Sequence, residues 1–450
     1  MDLYEEGNRT HEYNGKELDW DRDEVLDVPV GREYDSRQGK TEFIEERTYI
    51  SDDRLQRLVN IILDSAIKAN ASDVMIEPKE DRGLVSYRID GAMEFVREIH
   101  SGAMRGLSAV IQDKAGVPIG GYQTPAIDGR ISHFYGGNRY EFRMAGFPSL
   151  YGYTIDLRLL STKGVPQDIG NLGLPSDIVD AYRYSLNLRE GLIVFAGGTS
   201  SGKSTSIVAG LNEALSKFDF EKKLLTVENP VEYVIKDATQ TSVNPSAGYS
   251  FTTALQTFLR ADPDMIYVGE INDSATAGTV ARASGTGHLV FTTLHANSAL
   301  EVPDALMHYG VDEKQVFQTL RLVIYQVLKP KICPHCSTQR VLTTSEKMWL
   351  DKNLLTTEQL SVVSEPNHEG CTHCRNGYQG MVIMGEMLIS NAMYRDLRNR
   401  SINENWTQDQ LKQTLMEHES IKFYPLEYDV FRRLKSGEIS FTDATSLVGK

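Results

Sequence analysis

A run of glycines, hydroxyls and one lysine carries the most specific chemistry in the chain: Gly197, Gly198, Thr199, Ser200, Ser201, Gly202, Lys203 and Ser204, followed by Thr205. The first eight fit G-x-x-x-x-G-K-S, the pattern of a phosphate loop. Glycines let consecutive backbone N–H groups converge on one anion, Lys203 can reach the β- and γ-phosphates, and the Ser204 hydroxyl can take a place on Mg²⁺. An apolar run over residues 192–196 precedes the loop, and a helix is expected from residue 203 to about 215. The positive end of that helix points at the same phosphates. A solvent-exposed Gly/Ser turn is the alternative, and the strand-loop-helix context argues against it. The ligand set implied is ATP with Mg²⁺.

Three further strand ends carry reactive groups. Residues 224–227 deliver Glu228 before Pro230 stops the strand, residues 265–268 deliver Glu270, and residues 289–293 bring Thr292, Thr293 and His295 to an edge. A carboxylate beside a phosphate loop can hold Mg²⁺ through water, or orient and deprotonate the attacking water. Each Glu alone could equally be a surface or salt-bridged carboxylate; the order of all three is what gives them weight. The four cysteines form two C-x-x-C knuckles, Cys333/Cys336 and Cys371/Cys374, separated by 34 residues. Four thiolates at this spacing suit one tetrahedral Zn²⁺, and closed S₄ coordination leaves no position for water or substrate, so the site is structural. No thioredoxin-like pattern surrounds either knuckle to favour a redox pair. His335 and His373 lie inside the knuckles as bystanders.

Elements must position these groups. The chain has 450 residues, 40% hydrophobic and 24% charged, with a net charge of −15. Its length implies two or three domains. An acidic surface repels phosphate backbones, and the stretch between the knuckles is not markedly basic, so no nucleic-acid partner is expected. No apolar run approaches the roughly 18 residues of a membrane span, and the N-terminus lacks a secretory profile, so the protein is expected to be cytoplasmic. Residues 1–50 hold fifteen Asp/Glu against seven Lys/Arg, a net of −8, which predicts a largely disordered acidic arm. Within it Leu18, Trp20, Val25, Leu26, Val28 and Val30 predict a docking segment over 18–30 for a basic surface of a partner.

Leu55, Leu58, Val59, Ile62, Leu63 and Ala66 predict an amphipathic helix, and apolar alternation predicts strands over 74–76, 85–89, 93–99, 140–144 and 154–160 with a helix over about 104–115. Residues 51–160 are thus a mixed α/β domain. The Gly/Pro-rich stretch 161–175 is read as a linker. Residues 176–450 form the nucleotide-binding domain, with a zinc subdomain over 330–385. Short buried runs separated by helices predict an α/β doubly wound parallel sheet with its ligand at the carboxyl ends of the strands.

Taken together, the phosphate loop, VENPVE at 227–232, LRADPDMIYVGEI at 259–271 and TGHLVFTTLHANS at 286–298 resemble the secretion and type IV pilus ATPase family. The assembly and export members that energise type II secretion and pilus extension are the most similar. ASDVMIEP at 71–78 and YRIDG at 87–91 resemble two signatures of the family's N-terminal domain. The resemblance runs from about residue 52 to 390. It implies a RecA-like P-loop ATPase domain, a PAS-like mixed α/β N-terminal domain and a zinc-ribbon insert. It further implies Lys203 and Ser204 on ATP·Mg²⁺, catalytic Glu228 and Glu270, magnesium held by Ser204 and Glu270, and His295 as γ-phosphate sensor. Arg143 in EFRMA and Arg158 in DLRLL match arginines that approach the triphosphate, with Arg130 in support. Two departures stand out: Asn272 and Gln256 occupy positions where the family usually has arginine. The tetracysteine resembles assembly and export motors, whereas retraction motors typically lack it. The implied machine is a homo-hexamer, peripheral at the inner membrane through a platform protein, with a cytoplasmic adaptor as a further candidate partner of the arm. A conjugative or type IV secretion motor of the same superfamily and a non-hydrolysing nucleotide-binding scaffold are the alternatives.

Overall fold

The computed structural model describes residues 12–13, 16–17, 52–89, 91–119, 126–160, 168–218, 221–244, 247–352, 360–374, 376–418 and 420–448. The chain divides into two compact units, Met1–Thr162 and Lys163–Lys450. The acidic arm and its docking segment lie outside the described residues, apart from the backbone of a short antiparallel ladder, β1 (Glu12–Tyr13) with β2 (Lys16–Glu17).

In the first unit, α1 (Asp52–Lys68) is followed by β3 (Asp73–Pro78), β4 (Arg82–Ile89), β5 (Ala92–His100), α2 (Ser101–Lys114), β6 (Ile127–Tyr135), β7 (Asn138–Ser149) and β8 (Gly152–Leu160). The strands form one antiparallel sheet in the order β5-β4-β3-β8-β7-β6. Its period of two sends Val74, Ile76, Val85, Tyr87, Phe142, Met144, Ile155 and Leu157 to one face, where Leu58, Ile62, Leu63 and Leu107 of α1 and α2 cover them. Residues between these point to the opposite face. There Arg130, Arg143, Arg158, Asp73 and Arg88 occupy directly opposed positions on five successive strands. The sheet thus carries a row of four guanidinium groups interrupted by one carboxylate.

The second unit opens with a 3₁₀ turn, Ile169–Leu172, inside the stretch read as linker; Ile169 and Leu174 there are buried in a core. Then come α3 (Ser176–Ser185), β9 (Gly191–Ala196), α4 (Lys203–Lys217), β10 (Leu224–Glu228), β11 (Thr239–Ser242), α5 (Phe251–Phe258), β12 (Met265–Val268), α6 (Ser274–Ser284), β13 (Leu289–Leu294), α7 (Val302–His308), α8 (Glu313–Thr319) and β14 (Leu320–Ile332). The tetracysteine excursion holds β15 (Thr338–Val341), α9 (Thr344–Lys352) and β16 (Val362–Glu365). The chain ends in β17 (Tyr378–Ile389), α10 (Ala392–Asn403), α11 (Gln408–Glu417), β18 (Phe423–Tyr424), α12 (Leu426–Lys435) and α13 (Phe441–Leu447).

One eight-stranded sheet organises this unit, in the order β11-β10-β12-β13-β9-β14-β17-β18. From β11 to β14 every pairing is parallel; β17 and β18 are antiparallel and close one side. The unbroken apolar runs follow from burial on both faces. Leu192, Val194 and Ala196 of β9 join one core with α5 and α6, while Ile193 and Phe195 join another with Tyr182, Ile207 and Leu211 of α3 and α4. A third core packs Leu350, Leu360 and Val363 of the excursion against Leu426, Val430 and Leu434 of α12.

Candidate nucleotide site and tetracysteine centre

The phosphate loop begins where β9 ends. Its backbone turns through Gly197 at φ 144° and Ser200 at φ 59°, then enters α4 through Gly202 at φ 86°. Gly197 is required twice over, because a Cβ there would also meet the Gln326 carbonyl oxygen at 2.4 Å. Gly202 brings no side-chain acceptor to the first turn of α4, so the leading N–H groups of the helix remain available to an anion. This donor-rich cradle fits a polyphosphate. Lys203 is only 9% exposed and donates to the carbonyls of Gly197 at 2.9 Å and Gly198 at 2.6 Å. Burial lowers its pKa, while the Glu270 and Glu232 carboxylates oppose that shift.

The other expected groups gather at the same edge of the sheet. Ser204 shares a hydrogen bond with the phenol of the buried Tyr267 on β12, and Thr205 Oγ1 lies 3.1 Å from Tyr233 OH. Glu228 is 3% exposed at the end of β10, accepting from Thr226 Oγ1 at 2.7 Å and Gln240 Nε2 at 3.2 Å. Burial pushes its carboxyl up to about 7, against those two donors and the Glu232 N–H. Glu270 is half-buried just past β12 and accepts from Asn272 Nδ2 at 3.3 Å; the residue standing where the family usually has arginine therefore touches a candidate catalytic carboxylate. His295 is exposed one residue beyond β13, with no hydrogen-bond partner among the described residues. Gln256 is exposed on α5.

Arg143 and Arg158 belong to the first unit, opposite one another on β7 and β8. Arg158 Nε lies 2.9 Å from Asp73 and Arg143 Nη2 lies 3.6 Å from Asp128. Arg130 pairs with Glu141 at 3.0 Å.

Sequence reasoning missed Tyr267, Tyr233 and Gln240 as site residues. Tyr267 hides in an apolar strand run, where a phenol reads as packing. Tyr233 and Gln240 reach the site only through the fold of the chain after Pro230.

The sulfurs of Cys333, Cys336, Cys371 and Cys374 all lie within 4.8 Å of one another. Individual separations are 3.9 Å for Cys333 to Cys371, 3.4 Å for Cys336 to Cys374 and 3.6 Å for Cys371 to Cys374. A tetrahedron of Zn–S bonds has S···S edges of about 3.8 Å, so these four thiols fit zinc. The His373 N–H, 3.4 Å from Cys371 Sγ, lowers the pKa of that thiol, while burial raises those of Cys336 and Cys374. The rings of His335 and His373 stack with centroids 4.1 Å apart beside the cluster.

A glycine-rich loop between a parallel strand and a helix, with carboxylates at the ends of strands in the same sheet, defines a RecA-like P-loop ATPase domain. Residues 49–426 match the family model described as Type II/IV secretion system protein, and the chain belongs to that family. It is 35% identical over 336 residues to the type IV pilus assembly ATPase PilB of Pseudomonas aeruginosa, covering 74% of this chain and 58% of that one. It is 32% identical over 367 residues to the type II secretion system ATPase E of Vibrio cholerae, covering 80% of this chain and 70% of that one. Among solved structures, the pilus retraction motor PilT with bound ADP superposes with a TM-score of 0.59 at 25% identity, over 87% of this chain and 97% of that chain. No helix among the described residues is long and apolar enough to cross a membrane.

Proposed function

We propose that this chain is the ATPase motor of a type IV pilus or type II secretion pseudopilus, a cytoplasmic homo-hexamer that assembles filament subunits through an inner-membrane platform protein. The observation that carries this reading is the tetracysteine subdomain spliced into the sheet that bears the phosphate loop, a combination that resembles assembly and export motors. The names of the PilB and type II relatives agree with it.

In this reading the loop amides and Lys203 bind the phosphates of ATP. Mg²⁺, held by Ser204 and Glu270, would supply charge neutralisation on the transferring group. Glu228 orients the attacking water and takes its proton, a role suited to a carboxyl whose pKa sits near the working pH. His295 reports the loss of the γ-phosphate, and Arg143 and Arg158 add positive charge at a neighbouring protomer's nucleotide. These residues move a proton and stabilise charge; the opening and closing of domains does the mechanical work.

Glu228→Gln should lower phosphate release by about 10²–10⁴-fold while nucleotide binding persists. In the wild type only the ionised carboxylate is a base, so kcat/KM should rise with pH through about 7, and the Gln variant should lose that limb. A flat profile between pH 6 and 8 would remove Glu228 from the role. Linkage gives a second readout. Because the folded pKa is raised above its ordinary value of 4.5, the folded state holds the extra proton and stability should fall as pH rises from 4.5 towards 7. Glu386, also pushed up to about 7 by burial, acts in the same direction.

Arg143→Ala should bind ATP yet hydrolyse it on the order of 10³-fold more slowly, in line with arginines that act across a nucleotide interface. Wild-type specific activity should rise with protein concentration as rings assemble. Concentration-independent turnover by a monomer would contradict the shared site.

A further inference from the structure

Gln326 is a polar residue in an apolar strand. It sits on β14, 1% exposed, in a segment whose neighbours Val323 and Ile324 are core residues. Burying a primary amide is costly unless it is hydrogen-bonded; its Nε2 donates to the Ser201 carbonyl at 2.7 Å, while its Oε1 has no partner among the described residues. β14 runs parallel to β9 with Tyr325 opposite Ala196, the last residue before the phosphate loop. Gln326 therefore stands one step beyond the final rung, beside the loop. The loop lies against it at both ends: a Cβ on Gly197 would meet its carbonyl oxygen at 2.4 Å, and a Cβ on Gly202 its Nε2 at 3.1 Å.

We propose that Gln326 is a positioning residue for nucleotide binding: its side-chain amide fixes the Ser201–Gly202 peptide and thereby aims the loop. In a trans peptide the C=O and N–H point in opposite directions. Drawing the Ser201 carbonyl in towards β14 turns the Gly202 N–H away from it, to the side where the leading amides of α4 gather. The side-chain donor thus replaces a strand partner that the loop, having left the sheet, no longer has. Sequence patterns of the loop itself contain no trace of this residue, which lies 125 positions further along.

The inference rests on the reading of the loop as a nucleotide site, and the test keeps the two apart. In the full chain, Gln326→Met keeps volume and removes the donor, while Gln326→Glu keeps shape and replaces the donor with an acceptor. Fluorescent ADP titration, steady-state phosphate release and a thermal melt are measured on both. A loop that holds ground state and transition state alike should show, for Gln326→Met, a rise of about tenfold in both the ADP Kd and the ATP KM, with kcat within about twofold. Gln326→Glu, nearly isosteric, should bind ADP more weakly still. If it fails to fold, the Met variant alone decides. Unchanged ADP and ATP affinity in the Met variant, with or without a lowered melt, would make Gln326 a packing residue and overturn the proposal. Absence of ADP binding by the wild type would instead overturn the nucleotide reading, and this inference with it.

Discussion

Lys203→Ala should reduce phosphate release to less than about a tenth of wild type and leave the thermal melt close to unchanged. Charge-assisted hydrogen bonds to phosphate are about twice as strong as neutral ones, and removing a single preorganised donor at a reacting centre commonly costs on the order of 10²-fold or more. The stability term is small for a different reason. The ammonium is largely buried and donates to the carbonyls of Gly197 and Gly198, and burial already disfavours its charged form. Its removal relieves that desolvation as it forfeits two bonds. Retention of more than a tenth of the activity would sink the assignment of this loop to ATP.

The second large effect is expected at the cysteines. Protein made with zinc present should carry about one zinc per chain by elemental analysis, and Cys333→Ser should release it. Metal binding and folding share one free energy in small zinc modules, and Cys333 is fully buried. The core formed by Leu350, Leu360 and Val363 with α12 should therefore loosen, lowering the melting midpoint by about 5–10 °C. Metal content near zero in the wild type, or full zinc retention by the serine variant, would overturn the assignment.

Much of the site was legible because its chemistry is locally encoded. The phosphate loop, the strand ends at Glu228 and Glu270 and the two knuckles each fit within a dozen residues, where backbone geometry and ligand spacing restrict the choice of side chain. The strands around them were legible too, since burial on both faces leaves unbroken apolar runs at 192–196, 265–268 and 289–291. What escaped was non-local. β14 follows α8 directly at Leu320, with no Gly or Pro to mark the change, and its antiparallel partner β17 lies beyond a long excursion. The row of Arg130, Arg143, Arg158, Asp73 and Arg88 is invisible without strand register, for its members are separated by 13 to 85 positions. Gln326 escaped for the same reason, since a lone amide in an apolar run has no period to betray it.

The excursion has an engineering consequence. It leaves β14 and rejoins β17 at one rung, Ile332 opposite Tyr378, so the 45 residues between them are a bracketed cassette. Sheet connectivity is indifferent to what the bracket contains. A short turn could bridge the rung, or a reporter domain with closely spaced termini could be grafted there, provided a replacement covers Leu426, Val430 and Leu434 of α12.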